Sequence, residues 1–454
     1  MKLTDDELKN KTMQISIAEG SVGVLSSMLS DNYIVPFALS LNSTPFQIGI
    51  LSSLGNMVSP IGQIIGSHKI ESTSRKSVTL TGVIGMAAIW PLYIVLAIIY
   101  QFGIISQLIP WILLGFFLIY MLFAGILNPA WFSVMGDIVP ENYRGRYFAK
   151  RNLITNAIAL TGILILSFSL DWFEIQGIIF LGFILIFFTG FITRIMSVLL
   201  FTKQYYPPFY VEASDHIKFI QIIKEIPKTN FGKFTLFVSL IMLGQWIAGP
   251  FYAVYMLTDL RFNYSTFILI NMFSSVVSLF FFPVLGKFCD KFGNVRMLQI
   301  GSVVIPILPL LWILFNTPIG ILLVPQLLNG IGWTAFNLAS SNFIYDNIPI
   351  KKIGMYIAFY NSILGISILT GGLVGSFLII YIPSNFMNPF HFVFFISGIT
   401  RIIVVIIFLP KIKEVRITTK PIFNLKSTTI YRWLYDLSLR NHPKNHKKKR
   451  NEEK

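Results

Sequence analysis

The chain has 454 residues, 54% of them apolar and only 12% charged, with a mean hydropathy of +0.69 and a formal net charge of +16. Soluble domains carry about 25% charged residues, so water is excluded as the main solvent and a lipid bilayer is implied. Long continuous apolar stretches, without alternating ten-residue segments, also exclude an outer-membrane β-barrel.

Apolar stretches of about 20 residues, enough for a helix to cross the hydrocarbon core, recur along the chain. They place twelve transmembrane helices at 14–40, 45–67, 77–100, 107–135, 150–170, 175–202, 233–258, 264–286, 297–315, 319–345, 355–382 and 388–409. The expected fold is an all-α membrane protein. A cytoplasmic N-terminus (1–13) leads to six helices (14–202), a linker (203–232), six more (233–409) and a basic tail (410–454). The first span follows Asp5, Asp6 and Glu7 with no short apolar region and cleavage site, so no signal peptide is read.

Segments 1–13, 67–76, 137–151, 203–233, 287–296, 351–352 and 411–454 hold 33 of the 36 lysines and arginines. Basic residues in short loops stay in the cytoplasm, so both termini are expected there, in a plasma or inner membrane. The intervening loops carry Arg261 with Asp171, Glu174 and Asp259. The basic charge thus matches anionic inner-leaflet lipid and calls for no nucleic acid. A single cysteine, Cys289, permits no internal disulfide or cysteine metal cluster, and the five histidines are scattered. No metal or other cofactor is expected, no phosphate-binding loop is present to take ATP, and the expected state is a monomer.

Span 1 contains "EGSVGVLSSMLSDN" (19–32), two acids in an apolar setting. Glu19, Gly23, Ser26, Ser27 and Ser30 fall on one helix face, with Asp31 to its side and about 18 Å from Glu19 along the axis. Polar residues in lipid turn toward a bundle interior or a wet cavity, although small-residue stripes also serve close helix packing. Comparable lines appear in span 4 (Tyr120, Asn128, Trp131), span 7 (Gln245, Trp246, Gly249, Tyr252) and span 10 (Gln326, Asn329, Trp333, Asn337). The substrate cavity is therefore expected at Glu19, Ser26, Ser30, Asn128, Trp131, Gln245, Trp246, Tyr252, Gln326, Asn329, Trp333 and Asn337. Asn152, Asn156, Asn271 and Asn361 are second-rank candidates. Glu19, an intramembrane carboxylate, is the candidate for proton coupling.

The chain repeats itself. "DIVPENYRGRYFAKRN" (137–152) aligns without gaps with "DNIPIKKIGMYIAFYN" (346–361) at an offset of 209, and "GFITRIM" (190–196) returns as "GITRII" (398–403). Between spans 8 and 9 stands "GKFCDKFGNVR", with Gly286, Asp290, Gly293 and Arg296. Between spans 2 and 3, "GSHKIESTSRK" keeps Gly66, Arg75 and Lys76 but has Ile70 and Thr73 in place of the acid and the second glycine.

On these motifs and the duplicated six-span unit, the chain resembles a transporter of the Major Facilitator Superfamily over all twelve spans. The resemblance implies two six-helix bundles with a binding site between them, lined by spans 1, 4, 7 and 10. It also implies a gating latch in the cytoplasmic loops, built from Asp137, Arg144, Asp290, Arg296 and Asp346. Ile353 replaces the second-half counterpart of Arg144. Arg194 and Arg401 lie in spans 6 and 12, peripheral in the family, and are counted with the latch, expected to snorkel or to pair with Asp137 and Asp346 rather than bind substrate.

The expected function is secondary active transport of a small solute by alternating access, with proton coupling and with export favoured over import for an aromatic, uncharged cavity. A transport-fold sensor or partner subunit is the alternative, and a membrane-embedded lipid-modifying enzyme is third; no enzymatic activity is expected. In the tail, "TTIYRWLYDLSLR" reads as a short amphipathic helix on the inner leaflet.

Overall fold

The computed structural model describes residues 4–103, 107–140, 144–207, 229–348, 353–382 and 387–415. Most of the linker at 203–232, Lys351, Lys352 and the amphipathic segment of the tail lie outside these residues.

Twelve helices are long and apolar enough to cross a membrane: α1 (Asp5–Ser40), α2 (Pro45–Ile70), α3 (Arg75–Gln101), α4 (Ile109–Ile138), α5 (Arg146–Ile175), α6 (Ile179–Thr202), α7 (Asn230–Asp259), α8 (Tyr264–Phe292), α9 (Asn294–Leu314), α10 (Pro318–Asn347), α11 (Phe359–Tyr381) and α12 (Pro389–Lys411). Their starts have local causes. Thr4 and Thr44 each form a capping box, with Glu7 and Gln47, and Pro45 opens α2 with its fixed φ. Asn263, Thr317 and Asn388 cap α8, α10 and α12 through side-chain oxygens that accept first-turn N–H groups.

The two motif loops end their helices differently. Gly293 joins α8 to α9 at φ 94° and ψ 163°, a region open only to glycine. In the first copy Thr73 is extended (φ −132°, ψ −171°) and Ser74 caps α3. The replacement of glycine by Thr73 thus accompanies a turn that needs no positive φ.

Three helices of the second half depart from regularity, whereas Pro36, Pro60, Pro91, Pro129 and Pro283 lie inside continuous helices. Both α7 and α10 contain a wider π-helical turn, at Tyr255–Asp259 and at Leu322–Gln326, the second containing Pro325. In α9 the regular helix stops at Val304 and resumes at Leu308. Pro309 lacks the N–H that would bond the Ile305 carbonyl four residues back, and that carbonyl instead accepts from Arg401 Nη1 at 3.0 Å. Close approach elsewhere depends on small residues: a Cβ on either Gly62 of α2 or Gly125 of α4 would come within 3.0 Å of the other glycine's Cα.

The face of the bundle at which α1 begins is termed the N-terminal face, and twelve crossings return the end of α12 to it. At the opposite, far face the two halves share one core. Leu29, Tyr33, Phe37, Phe183 and Phe187 of the first half cluster there with Phe251, Tyr255, Tyr264 and Phe267 of the second. Phe183 meets Tyr264 edge-on at 6.1 Å, and Phe46 of α2 meets Phe377 of α11 at 5.9 Å. At the N-terminal face the cores are separate. One draws only on 231–412, while another joins Val134, Met135, Ile138, Val139 and Tyr147 with Met13, Ile17 and Tyr206.

Candidate functional site

Between the halves, on the N-terminal side of the shared core, lies a cavity of about 830 Å³. From the first half its wall takes residues of α1, α2 and α4; from the second, residues of α7 to α11. Its volume suits a small organic solute, since ligand sites span about 300–1,000 Å³.

The wall holds eight carboxamides: Asn32, Asn56, Gln63, Gln245, Asn271, Gln326, Asn329 and Asn361. Asn32 and Asn56 donate to carbonyls one turn back, Met28 O at 2.8 Å and Ser52 O at 3.0 Å. Asn329 donates to Gln326 Oε1 at 3.3 Å. The side-chain amides of Gln63, Gln245, Asn271 and Asn361 make no hydrogen bond within the described residues, so their donors and acceptors are open to the cavity. Aromatic surface comes from Phe117, Trp246, Tyr252, Phe267 and Trp312, with Tyr252 packed on Trp312 at 4.8 Å between centroids.

Among the described residues the only charge on this wall is Asp31. It is exposed, it makes no hydrogen bond or ion pair within the described residues, and Arg194 is the cation whose charge acts on it. Ser30 beside it is fully buried and its hydroxyl has no partner. The helix turn thus presents the acid to the cavity, with Ser30 at the edge of the wall and the rest of the stripe turned away.

That geometry corrects the reading of α1. Glu19, Gly23 and Ser26 face α5 and α6 and do not line the cavity. Glu19 is 4% exposed, accepts from Ser197 Oγ at 2.9 Å and lies 3.6 Å from Arg151 Nη2. Ser26 donates to the Gly190 carbonyl at 3.1 Å and accepts from Arg194 Nε at 3.2 Å. Small polar side chains at helical spacing allow two neighbouring helices to approach, and here packing wins over hydration. Trp131 is also off the cavity wall: the Arg151 guanidinium stacks over its ring at 4.7 Å, tying it to the Glu19 pair. Trp333 packs on Phe336 at 5.6 Å against the second-half core. Asn128 and Asn337 are exposed but lie outside the cavity. Ser30, Gln245, Trp246, Tyr252, Gln326 and Asn329 do lie on its wall, with Asn271 and Asn361; Asn152 and Asn156 do not.

The expected arginine pairings are corrected as well. Arg194, 2% exposed, bonds the Gly23 carbonyl, Ser27 Oγ at 2.9 Å and Tyr120 OH at 3.1 Å, and does not reach Asp137. Arg401, fully buried, bonds Ile305 O and Ser397 Oγ and reaches no carboxylate among the described residues. Backbone carbonyls and hydroxyls bond these cations in place of acids, and Arg401 Nε has no partner among the described residues. Asp137 pairs with Arg75 at 2.6 Å, not with Arg144, whose Nη2 donates to the Gly136 carbonyl at 2.9 Å. Arg144 covers the last carbonyls of α4, at Gly136 and Val139, while Arg75 takes the Asp137 carboxylate. Arg75 also donates to Ser133 and to the Pro207 carbonyl at 2.6 Å, binding α3, α4 and the segment after α6 together. In the second half Asp346 accepts from Asn294, the first residue of α9, and Arg296 donates to Phe292 O at 3.1 Å.

Several wall residues escaped the sequence reading although a signal was there. Ser52, Asn56, Ser59 and Gln63 recur in α2 at steps of four, three and four, as Phe267, Asn271 and Ser274 do in α8. Of these two lines only Asn271 is among the residues expected from the sequence.

The fold recurs in solved transporters. A mutant form of the nucleoside transporter NupG superposes with a TM-score of 0.70 at 14% identity, covering 88% of this chain and 100% of that one. A structure titled as proton dependent oligopeptide transporter recognition gives 0.68 at 12%, covering 88% and 98%. A bacterial homologue of the iron transporter ferroportin, in its inward-facing state, gives 0.63 at 15%, covering 88% and 98%. No curated protein sequence matches significantly. Residues 20–231 and 234–437 match the Major Facilitator Superfamily, and with twelve spanning helices in a duplicated arrangement the chain belongs to that family of membrane transporters.

Proposed function

We propose that the protein carries a small polar solute across the membrane by alternating access, with the cytoplasm at the N-terminal face and the described state open toward it. The observation that carries this reading is the cavity itself, walled by both halves, sealed at the far face by a shared core and bordered at the N-terminal face by separate ones. Rocking of one half on the other would exchange which face is sealed. The orientation rests on the basic loops, which hold 33 of the 36 lysines and arginines.

The proton site in this reading is Asp31 and not Glu19. A carboxylate inside the bilayer that has no protein partner gains most from protonation, whereas Glu19 has a cation and a hydroxyl beside it. Export loses its original ground, because the wall bears an acid and eight amides and is neither uncharged nor chiefly aromatic.

Thiol labelling tests alternating access without knowledge of the solute. Ser52→Cys in a Cys289→Ser background places one cysteine on the wall. In sealed vesicles of known orientation, an impermeant maleimide should reach it from the cytoplasmic side and, over time, from the outer side as well. A site reached from one side only, under all ion gradients, would rule out a transport cycle and leave a sensor.

A further inference from the structure

Resting on the reading of this cavity as the solute site, we infer that its solute is a neutral, multiply hydroxylated ring compound of nucleoside or glycoside size, and that anionic forms of the same compounds are rejected. Four carboxamides spread over both halves, Gln63, Gln245, Asn271 and Asn361, keep open donors and acceptors. An occupant lacking hydrogen-bonding groups would bury these amides unsatisfied, so an apolar solute is disfavoured. A polyol answers amides well, because both partners donate and accept. The Tyr252 and Trp312 rings give such a solute an apolar face to lie against.

Charge decides the rest. Among the described residues the wall has no cationic side chain; Arg194 and Arg401 are buried behind it, with their bonds directed to carbonyls and hydroxyls. A phosphate or carboxylate on the solute would meet Asp31 with no cationic side chain on the wall to pair with it. A neutral solute accompanied by a proton on Asp31 leaves the closed cavity without net charge, which is the least costly way to cross the bilayer's middle.

Matched probes test the inference on the purified full-length protein. Uridine and methyl β-glucoside are compared with uridine monophosphate and glucose 6-phosphate, and with the apolar cation tetraphenylphosphonium, by the concentration at which each raises the melting temperature. At least one neutral probe is expected to stabilise, its phosphate to be at least tenfold weaker, and the neutral effect to be lost in Asn361→Ala and Gln245→Ala. Asp31→Asn should narrow the gap between neutral and anionic partners. A phosphate that equals its neutral partner, tetraphenylphosphonium that outperforms both neutral probes, or no stabilisation by either neutral probe overturns the solute class. Those results leave alternating access to be judged by the labelling of Ser52→Cys. Neutral binding untouched by the two amide substitutions overturns the assignment of this cavity as the site.

Discussion

Asp171, near the end of α5, accepts hydrogen bonds from the backbone N–H of Tyr264 at 2.6 Å and of Ser265 at 3.1 Å. The carboxylate of one half thus caps the first turn of α8 in the other, where the helix dipole favours negative charge. It joins the halves at the far face, next to the Phe183 and Tyr264 rings.

Removing that cap should loosen the seal. Hydrogen bonds to a charged group contribute about 1.5–3 kcal/mol, so Asp171→Ala is expected to raise the population open at the far face by about tenfold or more. Labelling of Ser52→Cys from the outer side reports it directly. Unchanged outer labelling would make Asp171 a local cap without a gating role.

Glu19 and Asp31 should separate cleanly under substitution. Asp31→Asn removes the carboxylate on the cavity wall and is expected to abolish solute accumulation driven by a pH gradient while leaving exchange of solute intact. Glu19→Gln removes the partner of buried Arg151 and should destabilise the fold by about 3–5 kcal/mol, yet leave the coupling of the folded fraction unchanged. Vesicle uptake, normalised to folded protein from a melting curve, measures both. Loss of coupling in Glu19→Gln at normal stability would return the proton to Glu19.

The spans, their number and the internal repeat were legible because lipid leaves the backbone almost no alternative to helices of bilayer length. The site was legible only in part. Period alone places Glu19, Ser26 and Ser30 on one face of α1, but whether that face meets α6 or water depends on tertiary packing that no local pattern encodes. Asp31 was set aside for lying beside the stripe, and its position at the cavity follows from the same rotation of α1. Nor could spacing reveal that Asp137 would choose Arg75, 62 residues away, over the nearby Arg144. Such pairings depend on which helices become neighbours, as Asp171 with α8 also illustrates.

Arg75 and Arg144 therefore make contrasting predictions. Arg75 is 3% exposed and binds Asp137, Ser133 and Pro207, so Arg75→Ala removes at once the bonds that join α3, α4 and the segment after α6. A loss of about 2–4 kcal/mol is expected, with a lower melting temperature. Arg144→Ala removes bonds to two carbonyls at a helix end and should cost about 1 kcal/mol. A larger effect at Arg144, measured in the same detergent, would restore the within-loop latch.

Trp333 and Gln326 lie two turns apart on α10 and should behave in opposite ways. The Trp333 ring packs against Phe336 and the second-half core, half-buried, so Trp333→Ala opens space in apolar packing and should destabilise by about 1–3 kcal/mol. Solute affinity of the folded fraction should be unchanged, since the indole does not reach the cavity. Gln326 is on the cavity wall and accepts from Asn329, so Gln326→Ala removes an acceptor that positions a second amide. Its melting temperature should stay within a few degrees of the parent, while affinity for a stabilising solute falls about tenfold. Isothermal binding and thermal denaturation on the two variants decide the matter together. If Trp333→Ala loses solute affinity at normal stability, the indole reaches the solute in a state other than this one, and the binding surface extends along α10 toward the N-terminal face.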